Sequence, residues 1–200
     1  MPNGIDGLIL TGGMSRRMRQ DKSHLIVAGE SLLTHHRRLI CPEVERLFIA
    51  TNQKVKAINP ALRTNECFIE DYYQTSEGPL SGVLSGLESS GAELLWVVSC
   101  DHYGLPKNIL LKLREALVGS GADIACVKSQ GRRQPLICLM RIDSVKGHVK
   151  SYCRSGARSV LGCYDGLDVV DVVIDDLDFW ANLNTQDDYA QLLVFLEGKS

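Results

Sequence analysis

The chain is short of several things that would assign it quickly. No apolar run approaches the ~20 residues a helix needs to cross a bilayer, so no membrane role is expected. There is no C-x-x-C pair and no H-E-x-x-H, which argues against structural zinc and against the zinc hydrolase helix. Neither the full G-x-x-x-x-G-K-[ST] spacing of a P-loop nor G-x-G-x-x-G occurs. Proline- or serine-rich linkers, internal repeats and low-complexity tracts are also missing, so a second domain is not expected. Net charge is small, −2, giving no reason to expect a nucleic-acid partner. The amino end, Met-Pro-Asn-Gly-Ile-Asp, has neither the basic nor the apolar part of a signal peptide, and a cytoplasmic protein is expected.

What is present is ordinary for a globular protein: 200 residues, 44% hydrophobic and 23% charged, enough for one α/β domain with a sizeable core. The seven cysteines are an odd number. Cys67, Cys100, Cys126 and Cys138 lie in or beside apolar runs, as small buried hydrophobes of a reducing compartment do. Charge is unevenly spread. Between Arg158 and Lys199 there is no Lys or Arg, while Asp165, Asp168, Asp171, Asp175, Asp176, Asp178, Asp187, Asp188 and Glu197 fall there. A solvated face accounts for such a run; the alternative is that one or two of these acids lie near a metal.

Strand-like runs alternate with helix-length segments. Strands are expected at Gly7–Thr11, Arg46–Thr51, Cys67–Glu70, Leu94–Ser99 and Asp123–Lys128, and Gly29-Glu30 is expected to form a tight turn. A helix from Leu32 should stop before Pro42, and Val83, Leu84 and Leu87 have helical spacing in Ser81–Ser89. Pro106 suits the first turn of a helix running to about Leu117, closed by Gly119 and Gly121. From Gln130 the pattern changes, with a strand at Pro135–Met140, a helix at Asp143–Cys153 and an edge strand at Leu167–Ile174. This alternation predicts a mainly parallel sheet covered by helices on both faces. Such folds bind ligands outside the carboxyl ends of their strands, and Thr11-Gly12, Asp71 and Cys100-Asp101 each follow a strand directly.

The chemistry concentrates after the first strand. Gly12-Gly13 breaks an apolar run, and Arg16, Arg17, Arg19 and Lys22 follow within one short loop. Glycine allows close backbone approach, consecutive N–H groups form an anion cradle, and the cations make a triphosphate the natural guest. A Gly-Gly pair alone marks only a turn. Asp101, at the end of a rigid apolar strand, suits Mg²⁺, which takes one or two carboxylates plus phosphate oxygens and water; the competing role is a helix cap or turn before Pro106.

The segment Leu10–Lys22 resembles L-x-G-G-x-S-x-R-M-x-x-D-K, the signature of the nucleotidyltransferases that include molybdenum cofactor guanylyltransferase. The resemblance extends through Glu77-Gly78-Pro79-Leu80-Ser81-Gly82, Ser99-Cys100-Asp101, Gln134-Pro135-Leu136, Gly156-Ala157-Arg158-Ser159-Val160 and Asn182-Leu183-Asn184-Thr185. It implies a single Rossmann-like nucleotidyltransferase domain over 1–200, with 1–128 as the nucleotide-binding part and 129–200 on the acceptor side. It further implies a Mg²⁺-dependent transfer of GMP from GTP to the terminal phosphate of molybdopterin or molybdenum cofactor, with molybdoenzymes or their chaperones as recipients of the product.

Carried over residue by residue, Lys22 and Arg17 would face the phosphates and Asp101 would hold the metal. Leu10, Thr11 and Gly12, with Gly13 behind them, would hold base, ribose and phosphate through backbone groups. Asn52, matching the second asparagine of Asn-x-Asn, would help bind the nucleotide, and Asp71 would contact the base by accepting from guanine N1 and N2; for Asp71 the alternative is a turn before Tyr72-Tyr73. Gly78, Pro79 and Gly82 would shape a turn near the base. Arg158, Asn182 and Asn184 fall on the acceptor side; for the asparagines the alternative is a turn before a helix capped by Thr185. Arg132 and Arg133 are further acceptor candidates, with a solvated hairpin as the competing reading.

The chain departs from the pattern in four places. Thr11 stands for the usual alanine, Arg19 for glycine and Ala50 for the first asparagine of Asn-x-Asn, and His102-Tyr103-Gly104-Leu105 separates Cys-Asp from its proline. These motivate rival readings: a relative using CTP or another phosphorylated acceptor such as a sugar phosphate, or a nucleotide-binding paralogue without turnover. A purely structural or interaction protein would leave the basic loop without a purpose.

Overall fold

The structure, a computed structural model, describes residues 4–11, 25–51, 62–72, 78–175, 178 and 182–199. Among these, β1 (Ile5–Leu10) is fully buried. The hairpin β2 (Ile26–Val27) and β3 (Glu30–Ser31) turns through Ala28 and Gly29, both at positive φ. Then come α1 (Leu32–Ile40), β4 (Leu47–Thr51), β5 (Glu66–Glu70), α2 (Pro79–Ser89), β6 (Leu94–Ser99) and α3 (Ile109–Ser120). The remainder is β7 (Ile124–Ser129), β8 (Arg132–Arg141), α4 (Ile142–Arg154), α5 (Val160–Tyr164), β9 (Val169–Val173) and α6 (Gln186–Glu197).

Seven strands form one sheet in the order β5-β4-β1-β6-β8-β7-β9. β1 pairs in parallel with β4 and β6, β4 with β5, and β7 with β9; among the described residues of this sheet, only β8 runs against its neighbours. Side chains alternate across the sheet as the pleat requires. Ile5 and Ile9 of β1, with Trp96 and Val98 of β6, face the core beneath α1, α3 and α6. Leu8 and Leu10, with Leu95 and Val97, face the core beneath α2, α4 and α5. The expected single α/β domain with helices on both faces is therefore what forms.

The chain leaves β1 toward β4 and β5, then returns to β6 on the other side of β1. Strand order thus reverses around β1, and the crevice at the carboxyl ends of β1 and β6 is where such sheets take ligands.

Several boundaries differ from the sequence reading. Pro106 lies before α3 rather than in its first turn: its carbonyl accepts from the Ile109 N–H, and the helix begins there. Gly119 is inside α3, and Gly121 alone terminates it at φ 71°. β8 begins before Pro135 because the hairpin turn is Gln130-Gly131, both at positive φ. The register of β7 against β8 shifts between Cys126 and Val127, and Pro135, which has no N–H to give a ladder, lies in the stretch of β8 that the shift skips.

Candidate active site

The site is assembled from strand ends. Leu10 closes β1, and its carbonyl accepts from the Cys100 N–H at 3.0 Å, which ties the exit of β1 to the exit of β6. Thr11 is buried and doubly held by Ala50 at the end of β4, its N–H (3.1 Å) and Oγ1 (2.8 Å) both donating to one carbonyl. The hydroxyl that replaces the family's alanine thus fastens β1 to β4.

Asp71 follows β5 directly. Burial pushes its carboxyl above the usual carboxylate range. The close approach of α2 is the reason. A methyl placed on Gly82 would stand 2.7 Å from Leu10 Cδ2, 3.2 Å from Asp71 Oδ1 and 3.3 Å from Ala50 Cβ. One turn later a methyl on Gly86 would meet Leu8 Cδ2 at 2.7 Å. These two glycines let α2 lie directly on β1, with its first turn beside Asp71. Gly78, at φ 83°, caps α2 in a conformation that disfavours a side chain, and Pro79 occupies the first helical position, where its missing N–H costs nothing.

Asp101 follows β6 through Cys100. Its side chain is 20% exposed and held at one oxygen: Ser99 Oγ donates to Oδ1 at 2.6 Å, and His102 Nδ1 lies 2.9 Å from the same atom. His102 is buried and also approaches the Ser99 carbonyl at 3.3 Å. The loop behind it is anchored by α1, where His36 Nε2 donates to the His102 carbonyl at 2.8 Å. His36 is fully buried, and burial lowers its pKa to about 3, so it stays neutral. On the far side, the Leu183 N–H donates to the Asp101 carbonyl at 2.8 Å. Asn182, at φ 65°, points Nδ2 to Gln134 Oε1 at 3.3 Å. The closing Asn-x-Asn-Thr is thereby hooked to both Asp101 and the start of β8.

Other expected residues are accounted for locally. Thr185 caps α6 in a reciprocal box with Asp188, and the Asn184 N–H joins it by donating to Asp188 Oδ2. Arg158 Nη1 donates to the carbonyls of Cys153 and Ala157 at the end of α4. Arg133 and Lys128 pair with Asp171 of β9, and Arg132 is exposed at the β7–β8 hairpin. Gly12, Gly13, Arg16, Arg17, Arg19, Lys22 and Asn52 lie outside the described residues.

Sequence reasoning missed Ser99, His102, His36 and the Leu183 N–H as parts of this site. A signal existed for the first: Ser99 stands in the Ser99-Cys100-Asp101 segment itself, at the last position of the strand that delivers Asp101. No pattern announces that a histidine on α1 will reach the loop after β6.

Among the described residues no group of three or more His, Cys, Asp or Glu is arranged to hold a metal ion. A lone, oriented carboxylate at a rigid strand end fits a hard cation that draws its other ligands from phosphates and water.

A mainly parallel sheet whose strand order reverses around β1, with Asp71 and Asp101 following β5 and β6, defines a doubly wound α/β protein. The chain belongs to the MobA-like NTP transferase family, whose model matches residues 7–167. It is 30% identical over 195 residues to the molybdenum cofactor guanylyltransferase of Shewanella putrefaciens, covering 96% of this chain and 97% of that protein. It is 31% identical over 194 residues to the enzyme of the same name from Cupriavidus necator, covering 92% and 94%. Among solved structures, molybdopterin-guanine dinucleotide biosynthesis protein A from Archaeoglobus fulgidus superposes with a TM-score of 0.78 at 20% identity, over 96% of this chain and 99% of that one. 4-Diphosphocytidyl-2C-methyl-D-erythritol synthase from Anaerococcus prevotii shares the fold at a TM-score of 0.77 and 13% identity, over 98% of each chain.

Proposed function

We propose that this protein transfers GMP from GTP to the terminal phosphate of molybdopterin or molybdenum cofactor, forming the guanine dinucleotide and releasing pyrophosphate. The observation that carries the reading is the convergence of Thr11, Asp71 and Asp101 at the carboxyl edge of β1, β4, β5 and β6. Proteins matching the chain nearly end to end are named for this reaction.

In the transfer, an oxygen of the acceptor phosphate forms a bond to the α-phosphorus of GTP. The bond from that phosphorus to the bridging oxygen breaks, and pyrophosphate leaves with the electron pair. The nucleophile is already an anion, so no general base is needed, and catalysis rests on positioning and charge neutralisation. Lys22 and Arg17 neutralise phosphate charge, Arg17 with its planar fork. A divalent cation, Mg²⁺ in this reading, supplies Lewis acidity and a template on the phosphates when held by Asp101. Leu10, Thr11, Gly12, Gly13 and Asn52 hold the nucleoside and phosphates, while Gly78 and Pro79 shape the base side. Asp71 receives guanine N1–H and N2–H. Arg158, Asn182 and Asn184 serve the acceptor, so residues 1–128 act on the nucleotide and 129–200 on the pterin phosphate. Molybdoenzymes or their chaperones would take the product.

Calorimetric titration with GTP, CTP, ATP and UTP, each with and without Mg²⁺, tests this. Mg²⁺-dependent binding of GTP alone is expected, followed by pyrophosphate release once molybdopterin is added. Preference for CTP would move the function to cytidylyl transfer on the same scaffold, with Ala50 as the first residue to reverse. Failure to bind any nucleotide would sink the reading.

A further inference from the structure

The loop after β6 departs from the family pattern at His102, and His102 carries more structure than a connecting residue requires. It is 3% exposed. Its Nδ1 lies 2.9 Å from Asp101 Oδ1, and its carbonyl is anchored by His36 Nε2 at 2.8 Å. A carboxylate oxygen and a carbonyl only accept. The single Nδ1–H therefore faces two acceptors, Asp101 Oδ1 at 2.9 Å and the Ser99 carbonyl at 3.3 Å, and Nε2–H of His36 donates to the His102 carbonyl. Ser99 Oγ adds a second donor to the same oxygen at 2.6 Å.

The Ser99 hydroxyl and the His102 Nδ1–H meet at one carboxylate oxygen, which restrains the rotation of the Asp101 carboxylate. A chain of fixed groups thus runs from α1 through His36, the His102 backbone and the His102 ring to Asp101. We infer that His102 is a positioning residue, which with Ser99 orients the Asp101 carboxylate for a divalent cation. The inference rests on the guanylyltransferase reading for the identity of the bound nucleotide. Hydrogen-bonding partners behind a metal ligand characteristically set its orientation and basicity, and their loss weakens metal affinity about 10–100-fold.

The test is Mn²⁺ affinity in the presence of saturating GTP, read from free Mn²⁺ by electron paramagnetic resonance, with no acceptor added. H102F keeps the buried ring volume and removes the donor. H102N returns a side-chain N–H near the position of Nδ1. S99A removes the second donor with almost no change in volume, and so carries the test if H102F fails to fold. H102F should weaken Mn²⁺ binding about ten-fold or more, and the Mg²⁺ concentration for half-maximal turnover should rise by the same factor. H102N should recover most of the loss, and S99A should show a partial one. Mn²⁺ affinity in folded H102F, or in S99A should H102F not fold, within about two-fold of the parent would overturn the inference while leaving the guanylyltransferase reading intact. So would a loss in H102N equal to that in H102F. Absence of Mn²⁺ uptake by the parent protein with GTP would overturn both.

Discussion

At the scale of the residue, the site holds charge where the fold resists it. Asp71 is half-buried among Leu10, Ala50 and Gly82, and burial raises its pKa. A carboxyl whose folded pKa exceeds its unfolded one stabilises the fold below the unfolded value. It loses that contribution as pH rises through the folded value, so at pH 7 the ionised group weighs against folding. D71N should therefore melt at a higher temperature than the parent at pH 7, with the gain vanishing toward pH 4. It should also lose about 10-fold or more in GTP affinity, since bonds to a charged group contribute about 1.5–3 kcal/mol. Thermal melts at the two pH values and a GTP titration check both halves; a lower melting temperature at pH 7 would refute the first. Asp71 and Asp101 were legible from sequence because each ends an apolar strand run. Ser99 and His102 were not, because their part depends on which side-chain atoms converge on Asp101.

At the scale of the element, α1 and β5 are joined by a buried ion pair. Arg37 Nε donates to Glu66 Oε1 at 3.1 Å, a second guanidinium nitrogen pairs with Oε2, and the Arg63 N–H donates to Oε2 at 2.7 Å. Burial alone would raise the Glu66 carboxyl; the hydrogen bonds from Arg37 and Arg63 outweigh it and hold the group below its ordinary range. Removing one partner leaves the other charge stranded, so E66A should lose about 3–5 kcal/mol in urea unfolding. The double variant R37M/E66L should recover most of that; additive losses would show that the pair is not the source. Elements with strong periodicity, such as β6 and α2, were legible nearly to their ends. β8 was shortened in the sequence reading because Pro135 signals a boundary, and only the pairing with β7 shows the register shift that absorbs it. Gly82 was expected to shape a turn near the base; it lies inside α2, where its use, like that of Gly86, is the close contact with β1.

At the scale of the whole molecule, acid stability reports on the buried link between α1 and the loop after β6. His36 has a folded pKa of about 3, against an ordinary value of 6.5, because burial disfavours its charged form. The unfolded chain therefore binds one more proton between those values, and stability falls as pH drops through that window, by up to about 1.4 kcal/mol per pH unit. H36Q retains an N–H for the His102 carbonyl but cannot titrate, so its stability should decline less steeply from pH 6.5 downward. Parallel urea melts from pH 7 to 4 decide it, and identical slopes would contradict the assignment. The mainly parallel architecture was legible from the strand–helix alternation, but the lone antiparallel β8 was not, since it depends on the Gln130-Gly131 hairpin and long-range pairing with β6. Nor could sequence show that Leu183 would reach back to the Asp101 carbonyl. That hydrogen bond sets an order in time. Chains leave the ribosome amino end first, so the strands on either side of Asp101 exist well before Leu183 does. The backbone beneath Asp101 is completed by a residue made long after it, and a nascent chain that has folded β1, β4, β5 and β6 still lacks that support.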